Sequence, residues 1–137
     1  GNILATRMVA RGAAGIVTDG CFRDSPAIAE MDIPAYSRSP HAATNKTIHH
    51  PVDTQLPIAC GGVAVFPGDI LVGDDEGVVV IPRYLADEVA LAAARQEHKE
   101  DFILARIQAG APLAGTYPAD ESTDADYDDY CSENPAP

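Results

Sequence analysis

An arginine and an aspartate stand side by side at Arg23 and Asp24, directly after the segment Asp19-Gly20-Cys21-Phe22. Arginine presents a fixed fork of donors that suits a carboxylate or an enolate oxygen, and aspartate is a hard oxygen ligand for Mg²⁺ or Mn²⁺. Residues 15–20 contain a short β-branched run and end in Asp-Gly, which predicts a buried strand closed by a tight turn. Ligands usually bind beyond the carboxyl ends of such strands, so the pair is a candidate site for an anion and a divalent cation. A solvated ion pair is the alternative interpretation.

A helix is predicted just before that strand. Asn2 is a favoured capping residue, the apolar positions that follow it have helical spacing, and Gly12 suits the left-handed position after the last turn. The apolar positions are Ile3, Leu4, Met8 and Val9. The beginning of a helix attracts anions because its first backbone N–H groups have no partner within the helix.

The rest of the chain predicts an α/β domain. Short extended segments are expected at residues 32–36, 56–60, 62–65, 69–73 and 77–81, with an acidic turn at 74–77 joining the last two. Apolar residues then recur every three to four positions over residues 82–109, which predicts a long helix stopped by Gly110.

Composition limits the classes of function. The 137 residues, of which 46% are apolar, suit one globular domain, and a formal charge of −12 opposes nucleic-acid binding. Three widely spaced cysteines favour a reducing, cytoplasmic environment, and no apolar run is long enough to cross a membrane. Residues 119–137 hold seven acidic and no basic residues, so we expect a domain over 1–118 followed by a solvated or loosely docked acidic tail. Tyr117, Tyr127 and Tyr130 are the groups that could attach this tail to the body.

Several ordered motifs together resemble the RraA-like family. This family includes divalent-metal-dependent class II pyruvate aldolases that act on 4-hydroxy-4-methyl-2-oxoglutarate and 4-carboxy-4-hydroxy-2-oxoadipate. The resemblance extends from Gly1 to about Gly110. The motifs are Gly1-Asn2-Ile3-Leu4-Ala5-Thr6, Arg11-Gly12-Ala13-Ala14-Gly15-Ile16-Val17-Thr18-Asp19-Gly20, Arg23-Asp24, Pro57-Ile58-Ala59-Cys60-Gly61-Gly62, Pro67-Gly68-Asp69 and Asp74-Asp75-Glu76-Gly77-Val78-Val79-Val80-Ile81-Pro82.

The resemblance implies a three-layer β/β/α swivelling-type fold. It also implies a homo-oligomer, either a trimer or a pair of trimers, with the active site in a cleft between subunits. Family members carry further sequence before the position of Gly1, so the chain is expected to be the carboxy-terminal part of such a protein and its α/β domain to be incomplete at the N-terminus.

The same resemblance implies roles for individual residues. Asp24 would bind Mg²⁺ or Mn²⁺, Arg23 would contact the pyruvyl oxygen, and the main chain around Ile3 and Leu4 would receive the substrate carboxylate. The family's motif is an acidic residue, twenty intervening residues and Arg-Asp, and counting back from Arg23 leads to Asn2. An amide at this position neither carries the charge nor accepts a proton as a carboxylate does.

A glutamate from the late helix of a neighbouring subunit also approaches the metal in this family. Glu97 and Glu100 are the two candidates, because three residues separate them and place them on roughly one face of the predicted helix. Their alternative interpretation is a solvated acidic face balanced by Arg95 and Lys99.

The implied activity is a metal-dependent lyase. The cation would act as a Lewis acid on a 2-oxo acid, and Arg23 would stabilise the pyruvate enolate left by retro-aldol cleavage or by oxaloacetate decarboxylation. One alternative is a regulatory protein that inhibits an RNA-processing enzyme. Another is a sugar-acid lyase or hydratase whose specificity would depend on the loop of residues 36–50.

Other reactive residues are weaker candidates. The histidines of the loop lack acidic partners at ligand spacing, the acidic turn lacks the alternating ligands of a calcium loop, and the two cysteines lack a neighbouring histidine. We therefore expect the loop histidines, His41, His49 and His50, to be solvated. The acidic segment Asp74-Asp75-Glu76-Gly77 is expected to form an ordinary turn. Cys21 and Cys60 are expected to be buried small side chains.

Overall fold

The computed structural model describes residues 1–44 and 49–137, which form two compact units, Gly1–Arg83 and Tyr84–Pro137. The first unit carries all the strands in the described part of the chain, and helices dominate the second. This mixture of helices and strands confirms the α/β class. The boundary between the units does not coincide with the division expected after residue 118.

The first unit opens with α1 (Asn2–Ala10), as predicted. The helix ends at Arg11, and Gly12 follows with φ of +85°, a conformation that glycine adopts without steric cost. Asn2, however, does not cap it: the capping position is Gly1, and no side chain caps the helix. Among the described residues of this unit, Ala5 of this helix and Ile28 of α2 (Ser25–Ala29) are the buried apolar residues.

Two parallel strand pairs follow α1. β1 (Ile16–Val17) pairs with β3 (Ala35–Tyr36), and β2 (Cys21–Phe22) pairs with β4 (Ser39–Pro40). The predicted strand at 15–20 is therefore shorter, because the turn at Thr18 to Gly20 sends the chain into a second strand that the sequence pattern did not reveal. The Gly20 N–H donates to the Thr18 hydroxyl at 3.0 Å and fixes this turn.

Two antiparallel hairpins complete the strands. β5 (Ile58–Cys60) pairs with β6 (Val63–Val65) across Gly61 and Gly62, and β7 (Ile70–Gly73) pairs with β8 (Val78–Ile81). The acidic turn between β7 and β8 is confirmed. Both the Glu76 and the Gly77 N–H donate to Oδ1 of Asp74, at 2.8 and 3.2 Å.

The second unit is built on the predicted long helix, α3 (Ala86–Gln108), which a 3-10 turn precedes and Gly110 follows. A short segment, α4 (Leu113–Thr116), is interrupted by the positive φ of Gly115 and leads to α5 (Glu121–Glu133). Ile103 is the buried apolar residue of this unit. No helix in the described residues is long and apolar enough to span a bilayer.

The acidic segment differs from the expected extension, because most of it is helical. The Asp120 carboxylate accepts the Thr123 N–H at 2.9 Å and caps α5. Tyr127 and Tyr130 pack on His98 and Phe102 of α3, with ring centroids 5.1 to 5.7 Å apart. These two tyrosines therefore attach α5 to α3, as their aromatic character suggested, whereas Tyr117 is exposed.

Candidate active site

Arg23 and Asp24 lie between β2 and α2, at the carboxyl end of a strand as predicted, although that strand is β2 rather than β1. Asp24 has left-handed backbone angles, φ 63° and ψ 32°, which are uncommon for a residue with a side chain. It occupies the capping position of α2, yet its carboxylate makes no capping hydrogen bond. The carboxylate is instead directed to the beginning of α1.

The beginning of α1 holds the Asp24 carboxylate in place. The Asn2 N–H donates to Oδ2 of Asp24 at 3.3 Å, and Nε of Arg23 lies 3.5 Å from the same oxygen. The Arg23 and Asp24 side chains are 45% and 36% exposed, so both are accessible to a ligand from solvent. Within the described residues, Oδ1 of Asp24 makes no hydrogen bond.

The backbone amides expected to receive a carboxylate are only partly available. The Leu4 N–H donates to the Gly1 carbonyl at 3.1 Å, and the Asn2 N–H is bound to Asp24. The Ile3 N–H has no partner among the described residues, because it lies in the first turn of the helix, where N–H groups have no intrahelical acceptor. Of the amides expected to bind the substrate carboxylate, the backbone N–H of Ile3 is therefore the one available to an incoming anion.

A cavity of about 720 Å³ brings these groups together. Of its described lining residues, Arg23 and Asp24 have charged side chains and most of the others are apolar. A cavity with one charged pair and apolar walls fits a small anion with an apolar portion. The described lining residues are Gly1, Asn2, Ile3, Leu4, Ala5, Met8, Ile16, Val17, Thr18, Cys21, Phe22, Arg23, Asp24, Ile28, Ala43 and Thr44.

Among the described lining residues, Asp24 is the one carboxylate that could bind a divalent cation in this cavity. No cluster of three His, Cys, Asp or Glu side chains suitable for a metal occurs in residues 1–44 and 49–137. Mg²⁺, however, commonly binds through one or two carboxylates and completes its shell with water and ligand oxygens. The unbonded Oδ1 of Asp24 fits that mode of binding.

The neighbour-subunit candidates lie in the second unit. Glu97 and Glu100 are both exposed on α3, and Oε1 of Glu100 accepts a hydrogen bond from Nε2 of Gln96 at 2.7 Å. Their contribution to a site in another subunit stays a prediction.

Among the described residues, the weaker candidates do not come together in a site. Nδ1 of His41 accepts the Ala43 N–H at 3.0 Å, and His49 and His50 are exposed. Cys21 is exposed rather than buried, with Sγ 3.2 Å from the Ser39 hydroxyl. Part of the loop expected to govern specificity, residues 45–48, lies outside the described residues.

Two features of the site were not predicted from the sequence. Asp24 adopts a left-handed conformation, and Gly1 approaches its carboxylate closely. The glycine before the helix was the available signal, because glycine is favoured where another group approaches the backbone.

Comparisons with known proteins show which family the chain resembles. The model of the RraA-like family, described as Aldolase/RraA, matches residues 1–80. A protein of Halalkalibacterium halodurans named "Putative 4-hydroxy-4-methyl-2-oxoglutarate aldolase" is 38% identical over 90 residues, which are 66% of this chain and 42% of that protein. Matches to proteins with the same name also occur in Ectopseudomonas mendocina and Azotobacter vinelandii.

Solved structures share the fold. An uncharacterized protein of Pseudomonas syringae superposes with a TM-score of 0.78 at 32% identity, covering 85% of this chain and 58% of the other. Streptomyces coelicolor RraAS2 is described as an unusual member of the RNase ES inhibitor RraA protein family. It superposes with a TM-score of 0.64 at 36% identity, covering 76% of this chain and 53% of the other. The chain thus spans about half the length of these proteins. Because the family model covers more than half of this chain and includes the Arg23-Asp24 pair, the chain belongs to the RraA-like family.

Proposed function

We propose that this chain forms the catalytic part of a lyase that cleaves a carbon–carbon bond of a 2-oxo acid and releases pyruvate. The observation that carries the proposal is the grouping of Arg23, Asp24 and the first turn of α1 on one cavity. The names of several relatives, which describe an aldolase, support the same reaction class. The active protein is proposed to be a homo-oligomer.

The proposed substrate binds through its 2-oxo carboxylate. This anion faces the N-terminus of α1, where the free Ile3 N–H and the helix dipole favour negative charge. Arg23 then lies beside the 2-oxo oxygen. When the bond between C3 and C4 breaks, its electron pair moves toward C2 and negative charge grows on that oxygen. The Arg23 guanidinium stabilises this charge, and such preorganised stabilisation is commonly the largest catalytic contribution.

Asp24 is proposed to hold Mg²⁺ or Mn²⁺ through its free oxygen. Such an ion, when bound, supplies Lewis-acid polarisation of the substrate oxygens. Arg23 and the Asn2 N–H share the other carboxylate oxygen, so Asp24 is oriented before any ligand arrives.

The described cavity favours decarboxylation over retro-aldol cleavage. Retro-aldol cleavage requires a base for the proton of the 4-hydroxyl group, whereas loss of CO₂ from oxaloacetate requires no base for bond breaking. Among the described lining residues, Asp24 is the single carboxylate and no histidine is present. Asn2 occupies the position at which the family's acidic residue would accept this proton through its carboxylate. We therefore propose oxaloacetate decarboxylation as the faster of the two reactions.

The test is a pyruvate-release assay on the purified protein with Mg²⁺, using oxaloacetate and a 4-hydroxy-2-oxo acid in parallel. Replacing Arg23 with alanine should lower kcat/KM by roughly 100- to 1,000-fold, the usual loss for one oxyanion donor. Arg38→Ala is the matched control, because Arg38 is exposed and does not line this cavity. Full activity in Arg23→Ala would eliminate the proposed site.

A regulatory role is the second candidate. Its support is the similarity to RraAS2 and the strongly acidic composition, which suits a basic protein partner. Absence of metal-dependent pyruvate release, together with a stable complex with a basic RNA-processing enzyme, would favour this role over the lyase.

A further inference from the structure

Gly1 occupies a position where a side chain would collide with the Asp24 carboxylate. A Cβ atom built on Gly1 would lie 2.3 Å from Oδ2 of Asp24, 3.3 Å from its Cγ and 3.5 Å from Nε of Arg23. The first of these distances is far below van der Waals contact. The absent side chain therefore leaves the space that the Asp24 carboxylate fills.

The obstructing atom is the end of a side chain, which decides the consequence of adding a methyl group. Backbone atoms would not need to move, because the Asp24 carboxylate can rotate into solvent through its exposed face. That rotation would break the hydrogen bond from the Asn2 N–H and the contact with Arg23. The cost would thus fall on the orientation of Asp24 rather than on folding.

We propose that Gly1 is a positioning residue that orients the Asp24 carboxylate at the beginning of α1. This inference rests on the proposed role of Asp24 as the cation ligand. Gly1 touches neither substrate nor cation. It acts by letting Asp24 approach the Asn2 N–H, which occupies one carboxylate oxygen and leaves the other directed into the cavity.

The orientation can be measured without a metal or a substrate. The ¹H–¹⁵N spectrum of the metal-free protein reports the hydrogen bond at the Asn2 amide. In Gly1→Ala this proton should move upfield to the position found in Asp24→Ala, which removes the acceptor altogether. Gly15→Ala is the matched control: its added Cβ would meet the Pro34 carbonyl at an ordinary 3.6 Å, and the Asn2 resonance should stay in place.

Mn²⁺ binding, followed by the electron paramagnetic resonance signal of the free ion, provides the second measurement. Gly1→Ala should weaken binding roughly tenfold or more, as is typical when a group that orients a ligand is lost. The thermal unfolding midpoint of Gly1→Ala should equal that of Gly15→Ala. An unshifted Asn2 amide would overturn the proposal, and so would a fall in the thermal midpoint large enough to explain the loss of binding.

The two hypotheses fail in different ways. If Mn²⁺ binds equally well to the original protein and to Asp24→Ala, the proposed function of Asp24 is wrong, whatever Gly1→Ala does to the spectrum. If Asp24→Ala abolishes Mn²⁺ binding but Gly1→Ala leaves both the Asn2 amide and the affinity unchanged, the proposed function stands and the role of Gly1 is wrong.

Discussion

The backbone N–H of Asn2 donates to Oδ2 of Asp24 at 3.3 Å, across 22 positions of sequence. The intervening chain forms α1, returns through β1 and β2, and brings Asp24 back to the first turn of the helix. This contact uses the main chain of residue 2, so it is independent of the side chain at that position. The asparagine therefore leaves the geometry of the Arg-Asp pair intact while removing a carboxylate from the cavity.

Replacing Asn2 with aspartate should change the balance between the two proposed reactions. An added carboxylate supplies a proton acceptor for the 4-hydroxyl group, and general-base catalysis of this kind contributes roughly 100-fold or more. We expect at least a tenfold rise in the ratio of retro-aldol to decarboxylation rates, measured as pyruvate release from both substrates. Asn2→Ala is the control and should leave the ratio unchanged; an unchanged ratio in Asn2→Asp would argue against a base at this position.

The Arg23→Lys variant should separate charge from geometry. A lysine keeps the positive charge but presents a point donor in place of the planar guanidinium fork. We expect kcat for pyruvate release to fall by roughly tenfold, with a smaller change in KM, since the lost interaction matters most as charge develops on the oxygen. Arg38→Lys provides the comparison, because it makes the same exchange outside the cavity. Equal activity of the Arg23→Lys variant and the original protein would show that charge alone suffices.

Long local patterns in the sequence predicted the larger elements. The helix from Asn2 and the hairpin at residues 70–81 are confirmed, whereas the strand that precedes Arg23 and Asp24 is β2 rather than the predicted strand at residues 15–20. β2 and α2 were missed, because strands of two residues and a helix of five carry too few positions for a period to show. The close approach of Asp24 to α1 depends on tertiary folding, which local spacing does not encode.

The acidic segment illustrates the opposite limit. Its composition suggested an extension because seven like charges repel. In the structure, α3 supplies opposite charges: Lys99 pairs with Asp124 at 2.7 Å and Arg106 with Asp126 at 2.6 Å. Lys99 and Arg106 lie 25 and 20 positions before their partners in the sequence. The composition of the acidic segment alone could therefore not reveal these ion pairs.

Aromatic packing should contribute more than the ion pairs to the stability of the helical unit. Phe102 contacts the rings of Tyr127 and Tyr130, so Phe102→Ala should lower the free energy of unfolding by about 2 kcal/mol, below the cost at a fully buried site. Lys99→Ala removes a partly exposed ion pair and should cost less than about 1 kcal/mol. Urea unfolding measures the free energy of unfolding of both variants. A larger decrease in Lys99→Ala than in Phe102→Ala would show that the ion pair contributes more than the aromatic packing.

Tyr127 should make the stability of this unit sensitive to alkaline pH. Burial, followed by the Cys131 thiol and nearby negative charge, raises the pKa of Tyr127 from its ordinary 10.0 to about 12, and its hydroxyl forms a 2.8 Å hydrogen bond with Nδ1 of His98. The unfolded chain then loses the phenolic proton at lower pH than the folded chain. The stabilisation is therefore fully present below pH 10 and is lost as the pH rises toward 12.

The measurement of this effect is the urea midpoint at about pH 9 and about pH 11, on either side of the ordinary tyrosine pKa. The midpoint should fall less in Tyr127→Phe than in the original protein, because phenylalanine has no proton to lose. All other residues are the same in both proteins, so only the difference between their midpoints reports Tyr127. Tyr130→Phe is the matched control, since it alters a neighbouring ring and leaves Tyr127 in place. An identical fall in the original protein and in Tyr127→Phe would show that Tyr127 does not link the stability of this unit to pH.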